Sequence, residues 1–425
     1  MHLSSLASPY GIGTMGKEAR EFVDFLCESG QSYWQLLPIG PTSYGDSPYQ
    51  SYSTFAGNPY FIDLDELQQK GWLEKEDYKN IVWGNDEERV DYGILYQERF
   101  QVLKKAAERF LKCPPSDFAF FCEENEFWLQ DYANFMEQKS LDARYWKVIQ
   151  YFFFEQWYAL KKYANGRGIS IIGDLPIYVS LDSVEVWAQP ELFQLDENGV
   201  PKAVAGCPPD GFSEDGQLWG NPLYDWVYME RDGYQWWIRR IQYLCHMYDV
   251  LRIDHFRAFA GYYAIPYGNT TAQKGCWREG PGMKLFTAVE KAIGKQPIIA
   301  EDLGHITEDV RMLLKESGFP GMKVLQFAFD QRDGSGAEYL PHNYEAHCVA
   351  YTGTHDNDTI LGWFHEANQK DISYAKAYLQ NVNDEEIKNI SLFGKKILSI
   401  ATLDYKYKKW HRKKLSTISI KTKNF

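Results

Sequence analysis

The sequence lacks the marks of several protein classes. Its seven cysteines form no CxxC pair and are odd in number, which indicates reduced thiols in a cytoplasmic protein rather than a disulfide framework or a zinc site. No apolar run approaches the roughly 18 residues of a membrane span, and residues 1–13 contain no segment typical of a secretory signal. No internal repeat is visible, which argues against solenoids and propellers.

The chain also has no excess of positive charge. It carries 45 Lys and Arg against 58 Asp and Glu, for a net charge of −13. Eight basic side chains and no acidic ones follow residue 404, so residues 1–404 carry −21. Such an acidic body argues against nucleic acid or an anionic membrane as the main partner.

Short apolar runs alternate with helical patterns along the chain. The predicted strands are 33–38, 169–174, 248–253, 297–300, 322–329 and 347–352, and the predicted helices between them are 17–29, 234–247, 284–293 and 307–317. This alternation predicts βα units and a parallel sheet. Two stretches break the rhythm: about 64–165 is predicted helical, and about 180–231 is predicted to be loop-rich. The length fits two or three domains, or one α/β barrel with insertions.

Residues 11–16 match the dinucleotide-binding pattern GxGxxG. That pattern needs a strand before it and a helix after it. The preceding residues 6–10 read LASPY, which is not a buried strand, so we expect a glycine-rich loop without a nucleotide.

Four predicted strands are followed directly by acidic residues. Asp174, Asp254, Glu301 and Asp356 each stand at or just beyond the end of such a strand. A single one of these would be read as a helix N-cap. Because the C-terminal ends of barrel strands converge on one face, four in order predict one acidic cleft there.

Converging carboxylates suit two chemistries, divalent-metal binding and glycosidic bond cleavage. The chain is 16% aromatic, with 14 Trp and 30 Tyr. Most of these rings are expected in the core, but flat rings with polar edges also stack on sugars. The composition therefore favours the sugar interpretation.

Ten segments between residues 34 and 359 carry a family resemblance. They are 34–42 (WQLLPIGPT), 45–51 (GDSPYQS), 55–60 (FAGNPY), 173–179 (GDLPIYV), 205–210 (AGCPPD), 217–226 (QLWGNPLYDW), 252–257 (RIDHFR), 300–304 (AEDLG), 319–323 (FPGMK) and 353–359 (GTHDNDT). In these segments the chain resembles the amylomaltase (4-α-glucanotransferase) family, of the α-amylase-like clan of (β/α)8 barrels. The resemblance covers residues 8 to about 365.

The resemblance implies a fold and a set of catalytic roles. The fold would be a TIM barrel in one catalytic domain over 1–404, with insertions at about 64–165 and 180–231. Asp254 would be the nucleophile, Glu301 the general acid/base and Asp356 the third carboxylate. Arg252 would keep Asp254 ionised.

The resemblance also implies which residues bind the substrate and whether a metal or cofactor takes part. No metal and no organic cofactor are expected. Substrate-binding roles are implied for Ser47, Tyr49, Asp174, Asp210, Trp219, Arg252, His255 and His355.

The activity implied is transfer of an α-1,4-glucan segment to the 4-OH of another glucan or of glucose, by a retaining double displacement. Maltooligosaccharides or α-1,4-glucans would be donor and acceptor, glucose an acceptor, and the location cytoplasmic. Two alternatives stay open: an α-1,4-glucan hydrolase of the α-amylase type, and a truncated, inactive glucan-binding protein.

The last alternative arises from the C-terminus. The family pattern continues into a helix at about 384–403, but the expected eighth-strand block, an apolar run followed by Gln-Asp and a Gly/Asn-rich loop, is absent. We therefore expect the barrel to lack its eighth strand and residues 405–425 to be an aberrant basic tail.

Overall fold

The structure is a computed structural model, and it describes residues 1–379 except 44, 87, 210–212, 305 and 331–334. The predicted helix at 384–403, the missing eighth strand and the basic tail 405–425 lie outside the described residues. None of the helices within the described ranges is long and apolar enough to cross a membrane.

Ten strands are described. They are β1 (Tyr33–Gln35), β2 (Ser170–Leu175), β3 (Ala203–Cys207), β4 (Gln217–Pro222), β5 (Val250–Ile253), β6 (Gly261–Pro266), β7 (Cys276–Glu279), β8 (Ile298–Ala300), β9 (Gly321–Val324) and β10 (Cys348–Tyr351).

Six of these strands are parallel, as the alternating pattern predicted. β1, β2, β5 and β8 pair in that order, and β9 pairs with β10. The N–H of Ala300 donates to the carbonyl of Pro320 at 2.9 Å, which joins β8 to the start of β9. At the other end, the Tyr351 hydroxyl donates to Gln35 Oε1 at 3.0 Å, so β10 returns towards β1. The strands therefore curve round as in the predicted barrel.

Fourteen α-helices accompany the strands in the described ranges. They are α1 (Lys17–Glu28), α2 (Leu64–Gln69), α3 (Tyr92–Ile94), α4 (Phe100–Phe110), α5 (Ser116–Glu124), α6 (Glu126–Glu137), α7 (Ala143–Gly166), α8 (Val184–Ala188), α9 (Trp226–Arg231), α10 (Gln235–Met247), α11 (Met283–Ile293), α12 (Glu308–Ser317), α13 (Ile360–Glu366) and α14 (Gln369–Tyr378).

The long helix α7 fixes the loop that follows β1. Gln150 accepts from the N–H of Gly57 at 2.7 Å and Gln156 accepts from the N–H of Asp63 at 2.7 Å. Both glutamines are buried, and each also donates back to a backbone carbonyl of the same loop. Buried amides whose hydrogen bonds are satisfied in this way hold the loop against the helix. Residues 45–51 belong to the same loop.

The stretch 180–231, predicted to be loop-rich, contains more regular structure than expected. Its strands β3 and β4 form an antiparallel sheet with β6 and β7, in the order β4-β3-β6-β7. β3 pairs with β6, whose partner residues lie about 57 to 63 positions further along the chain, so local composition did not reveal the sheet. This sheet carries Trp219 on its edge strand β4.

The strand predicted over 322–329 was partly wrong. β9 ends at Val324, and Leu325–Phe329 form a 3₁₀-helix. Leu325, Ala328 and Phe329 are buried in one cluster with Ala375 of α14. An apolar run of this length does not distinguish strand from helix, and packing against α14 selects the helix.

The glycine pattern at 11–16 forms a loop, as expected. No parallel strand precedes it, since Leu3–Ser5 form a short 3₁₀-helix. A Cβ at Gly13 would lie 1.9 Å from the Leu3 carbonyl oxygen, so this glycine permits a close backbone approach.

Candidate active site

Three neighbouring parallel strands end at one place and bring together three of the predicted carboxylates. Asp174 on β2 stands opposite Arg252 on β5 in the sheet register. The N–H of Asp254 donates to the Leu175 carbonyl at 2.9 Å, and the N–H of Glu301 donates to the Ile253 carbonyl at 3.0 Å. Sheet pairing therefore places these side chains at one strand-end face, where barrels carry their active sites.

Arg252 joins two of the carboxylates. Its Nη1 donates to both oxygens of Asp174, at 2.7 and 2.8 Å, and its Nη2 lies 3.0 Å from Asp254 Oδ1. The Arg252 and Asp174 side chains are 5% and 1% exposed, whereas that of Asp254 is 26% exposed. The guanidinium is thus held from within the protein and presents Asp254 towards the cleft with a charge-assisted contact.

Glu301 is held by the backbone. The N–H of His255 donates to Oε2 at 2.6 Å, and the N–H of Leu303 donates to Oε1 at 2.8 Å. His255 adopts a left-handed φ of 50°, which is uncommon outside glycine. Because this turn follows Asp254 directly, it brings the backbone N–H beyond the end of β5 to the carboxyl group of Glu301, which follows β8.

The two carboxyl groups share an electrostatic environment. Burial is the main cause that raises the pKa of Asp254, opposed by Arg252 and reinforced by Asp174, Glu301 and Asp356. Burial also raises the pKa of Glu301, again opposed by Arg252 and by the two backbone donors. Because neighbouring carboxyl groups titrate together, the pair tends to keep one proton at pH values above the range in which a carboxyl group ordinarily releases it. One carboxylate beside one carboxylic acid is the pairing used in general acid catalysis of bond cleavage.

The fourth predicted carboxylate reaches this centre through two rings. Tyr49 donates its hydroxyl to Asp174 Oδ2 at 2.7 Å, and its ring stacks on that of His355 at 5.4 Å and 13°. His355 Nε2 lies 3.3 Å from Asp356 Oδ1. Asp356 is 76% exposed, so it lies at the open rim of the site and not in its floor.

The other predicted binding residues surround this centre, with one exception. Trp219 meets the ring of His255 edge-on at 4.8 Å, and burial lowers the pKa of His255 to about 3, which keeps it neutral. Ser47 accepts from the N–H of Tyr49 at 3.3 Å, so it shapes the loop that presents the tyrosine. Asp210 lies outside the described residues.

Two residues of the site were missed by sequence reasoning. The sulfur of Met322 accepts from Arg252 Nε at 3.4 Å. The carboxyl group of Asp302 accepts from the N–H of Met322 at 2.6 Å, and burial raises the pKa of Asp302 to about 6. Both lie in the segments 300–304 and 319–323 that carried the resemblance, which was the available signal.

The positive charge among these carboxylates comes from Arg252. No group of three or more His, Cys, Asp or Glu side chains in the described part of the chain is placed to hold a metal ion. That a metal and a cofactor are not needed stays a prediction.

Comparisons with known proteins agree on one family. The family model described as 4-alpha-glucanotransferase matches residues 1–147 and 137–401. The 4-alpha-glucanotransferase of Clostridium butyricum is 49% identical over 412 residues, 88% of this chain and 84% of that protein. That of Thermus thermophilus is 48% identical over 415 residues, 89% and 82% of the two chains.

Solved structures show the same relationship. The amylomaltase from Streptococcus agalactiae, in complex with acarbose, superposes with a TM-score of 0.86 at 45% identity, over 90% of this chain and 84% of that one. The amylomaltase from Corynebacterium glutamicum, at 19% identity, shares the fold with a TM-score of 0.73 over 92% and 60%. The predicted α/β barrel class is thereby confirmed, and the chain belongs to the 4-α-glucanotransferase family.

Proposed function

We propose that this chain transfers a segment of an α-1,4-glucan to the 4-OH of another glucan or of glucose, with retention of configuration. The relatives' names support the reaction. The observation that carries the residue assignment is the contact between Arg252 and Asp254 at 3.0 Å. The next residue, His255, donates its backbone N–H to Glu301. The contact with Arg252 supports Asp254 as the carboxylate that attacks, with Glu301 beside it as the proton donor.

In the first step Asp254 attacks the anomeric carbon of the donor glucan. Glu301 gives its proton to the departing glycosidic oxygen, so the bond breaks as the ester to Asp254 forms. Arg252 favours the ionised form of Asp254 before attack. Each Glu301 oxygen uses one lone pair for its backbone donor and keeps another for the proton.

In the second step Glu301, now ionised, takes the proton from the incoming 4-OH. The acceptor oxygen attacks the anomeric carbon and Asp254 leaves as a carboxylate, which restores the α-1,4 bond. Two inversions at one carbon give net retention.

The surrounding residues hold the sugars. Asp356 and His355 stand at the rim, where their polar atoms can bond ring hydroxyls and Asp356 can stabilise the positive charge that develops on the ring. Neutral His255 can donate to a hydroxyl, and Trp219 offers a ring for a sugar face. Asp174 holds Arg252, and the Tyr49 hydroxyl donates in turn to Asp174. Ser47 shapes the loop that carries Tyr49.

The charge of −21 over residues 1–404 supports neutral glucans and glucose as partners, in preference to nucleic acid. A cytoplasmic location stays a prediction, as does the single catalytic domain over 1–404.

Incubation of the 425-residue chain with maltotriose tests the proposal. Transfer gives glucose together with oligosaccharides longer than maltotriose, whereas glucose and maltose alone would mean hydrolysis. Asp254→Asn and Glu301→Gln should each lower the rate by a factor on the order of 10² or more, since a general acid/base term alone is worth about 10²–10⁴. Near-normal transfer by Asp254→Asn would refute the assignment.

A further inference from the structure

A row of aromatic and charged side chains lies on the surface beside the groove that contains Trp219. We call it the aromatic strip, and it consists of Tyr52, Phe135, Lys139, Asp182 and Trp187. The Lys139 ammonium lies over the rings of Tyr52 and Phe135, at 4.8 and 4.7 Å from their centroids, and bonds both oxygens of Asp182 at 2.8 Å. Phe135 contacts Trp187 at 6.0 Å.

The strip is open to solvent where a ligand would need it. Trp187 is 45% exposed and the Asp182 side chain 59% exposed. Phe135 is buried beneath them and supports the indole from α6. Trp187 is one of several exposed large rings in the described part of the chain, and Phe135 links it to the Lys139–Asp182 ion pair.

The strip borders a surface groove that reaches Trp219, beside the candidate active site. A surface groove of about 500 Å³ is lined by Ser43, Gln50, Asp182 and Trp219 among others, so Asp182 belongs to both features. Gln50 donates to the Trp219 carbonyl at 3.4 Å, and the N–H of Val184 donates to the Tyr52 carbonyl at 2.9 Å. These bonds attach the strip to the same loop that presents Tyr49 to the catalytic carboxylates.

We propose that the aromatic strip is a second contact for α-1,4-glucans, which holds the part of a long chain that leaves the groove past Asp182. This inference rests on the proposed function. The chemistry fits an uncharged polyol: the Trp187 ring stacks on the C–H face of a glucose unit, Asp182 accepts from hydroxyls and Lys139 donates to them. A short substrate such as maltotriose fills the groove alone, whereas amylose reaches the strip.

The test measures direct binding of amylose and of maltotriose to the full chain carrying Asp254→Asn, so that no turnover is needed. Adding Trp187→Ala should lower the ratio of amylose affinity to maltotriose affinity about three- to ten-fold, the range expected for one aromatic contact. Trp187→Phe should restore most of that ratio. Tyr267→Ala, which removes a ring that is 51% exposed but outside the strip, should leave the ratio unchanged.

The outcomes separate this proposal from the proposed function. If the ratio is unchanged by Trp187→Ala, or falls equally with Tyr267→Ala, the strip is not a glucan contact even if transfer is observed. If the ratio falls as stated while the parent chain fails to disproportionate maltotriose, the strip stands and the proposed transfer falls. Maltotriose binding by each variant shows that it is folded.

Discussion

Arg252 donates its Nε–H to the sulfur of Met322 at 3.4 Å, in a place where both residues are almost fully buried. The same guanidinium uses its other nitrogens for Asp174 and Asp254. Met322 therefore acts on Asp254 through the arginine, and under the proposed function it is a positioning residue.

Met322→Leu should remove this acceptor at little cost in volume. A buried donor left without a partner costs about 1–3 kcal/mol, so we expect a lower free energy of unfolding together with a fall in kcat for maltotriose that exceeds any change in KM. Met229→Leu is the matched control, because Met229 is equally buried but lies on α9. Equal behaviour of the two variants in kcat would contradict the role of Met322.

Asp302 should make stability depend on pH. Burial raises its pKa from 3.8 to about 6, so the folded state holds a proton that the unfolded chain releases near pH 4. The resulting stabilisation is present below about pH 4 and lost as the pH rises through 6, and it amounts to about 2–3 kcal/mol.

Asp302→Asn keeps an oxygen to accept from the N–H of Met322 but carries no titrating group. Chemical denaturation at several pH values should show the variant gaining stability relative to the parent between about pH 4 and 7. Asp131→Asn, at an exposed position of α6, should show no such gain. A constant difference between parent and Asp302→Asn across this range would show that Asp302 is not the group responsible.

Asp174 should tune the pH at which Asp254, the proposed nucleophile, ionises. Its negative charge raises the pKa of Asp254, and it also competes for Arg252. Asp174→Asn removes that charge and frees the guanidinium for Asp254, so the acidic limb of the kcat/KM profile should move to lower pH by up to about one unit.

Tyr49→Phe provides the control for this shift. It removes the hydrogen bond to Asp174 but leaves the charge in place, so the acidic limb should stay close to that of the parent. A shift of the Asp174→Asn limb to higher pH, or no shift, would contradict the electrostatic account.

The positions of three strand-end carboxylates were predictable because a strand and the residue after it are close in sequence. The apolar runs before Asp174, Asp254 and Glu301 identify the strands, and parallel pairing then places their ends side by side. The helix α12 was equally readable, with acidic residues in its first turn and Gly318 in the left-handed conformation at its end.

The supporting contacts were not predictable, because they join residues far apart in the chain. The sulfur of Met322 gives no local signal of its contact with Arg252, seventy residues away. The stacking of Tyr49 on His355 joins loops at opposite ends of the described chain. The left-handed φ at His255 is uncommon for a residue other than glycine, and the sequence around it did not reveal it.

Peptide mass spectrometry tests most directly whether a covalent bond forms between the glucan and Asp254. The Glu301→Gln chain is incubated with an α-glucosyl fluoride, whose leaving group needs no acid, and then digested. We predict a glucosyl group on the peptide that contains Asp254, and none when Asp254→Asn is added. A glucosyl group on another carboxylate, such as Asp174 or Asp356, would contradict the central claim.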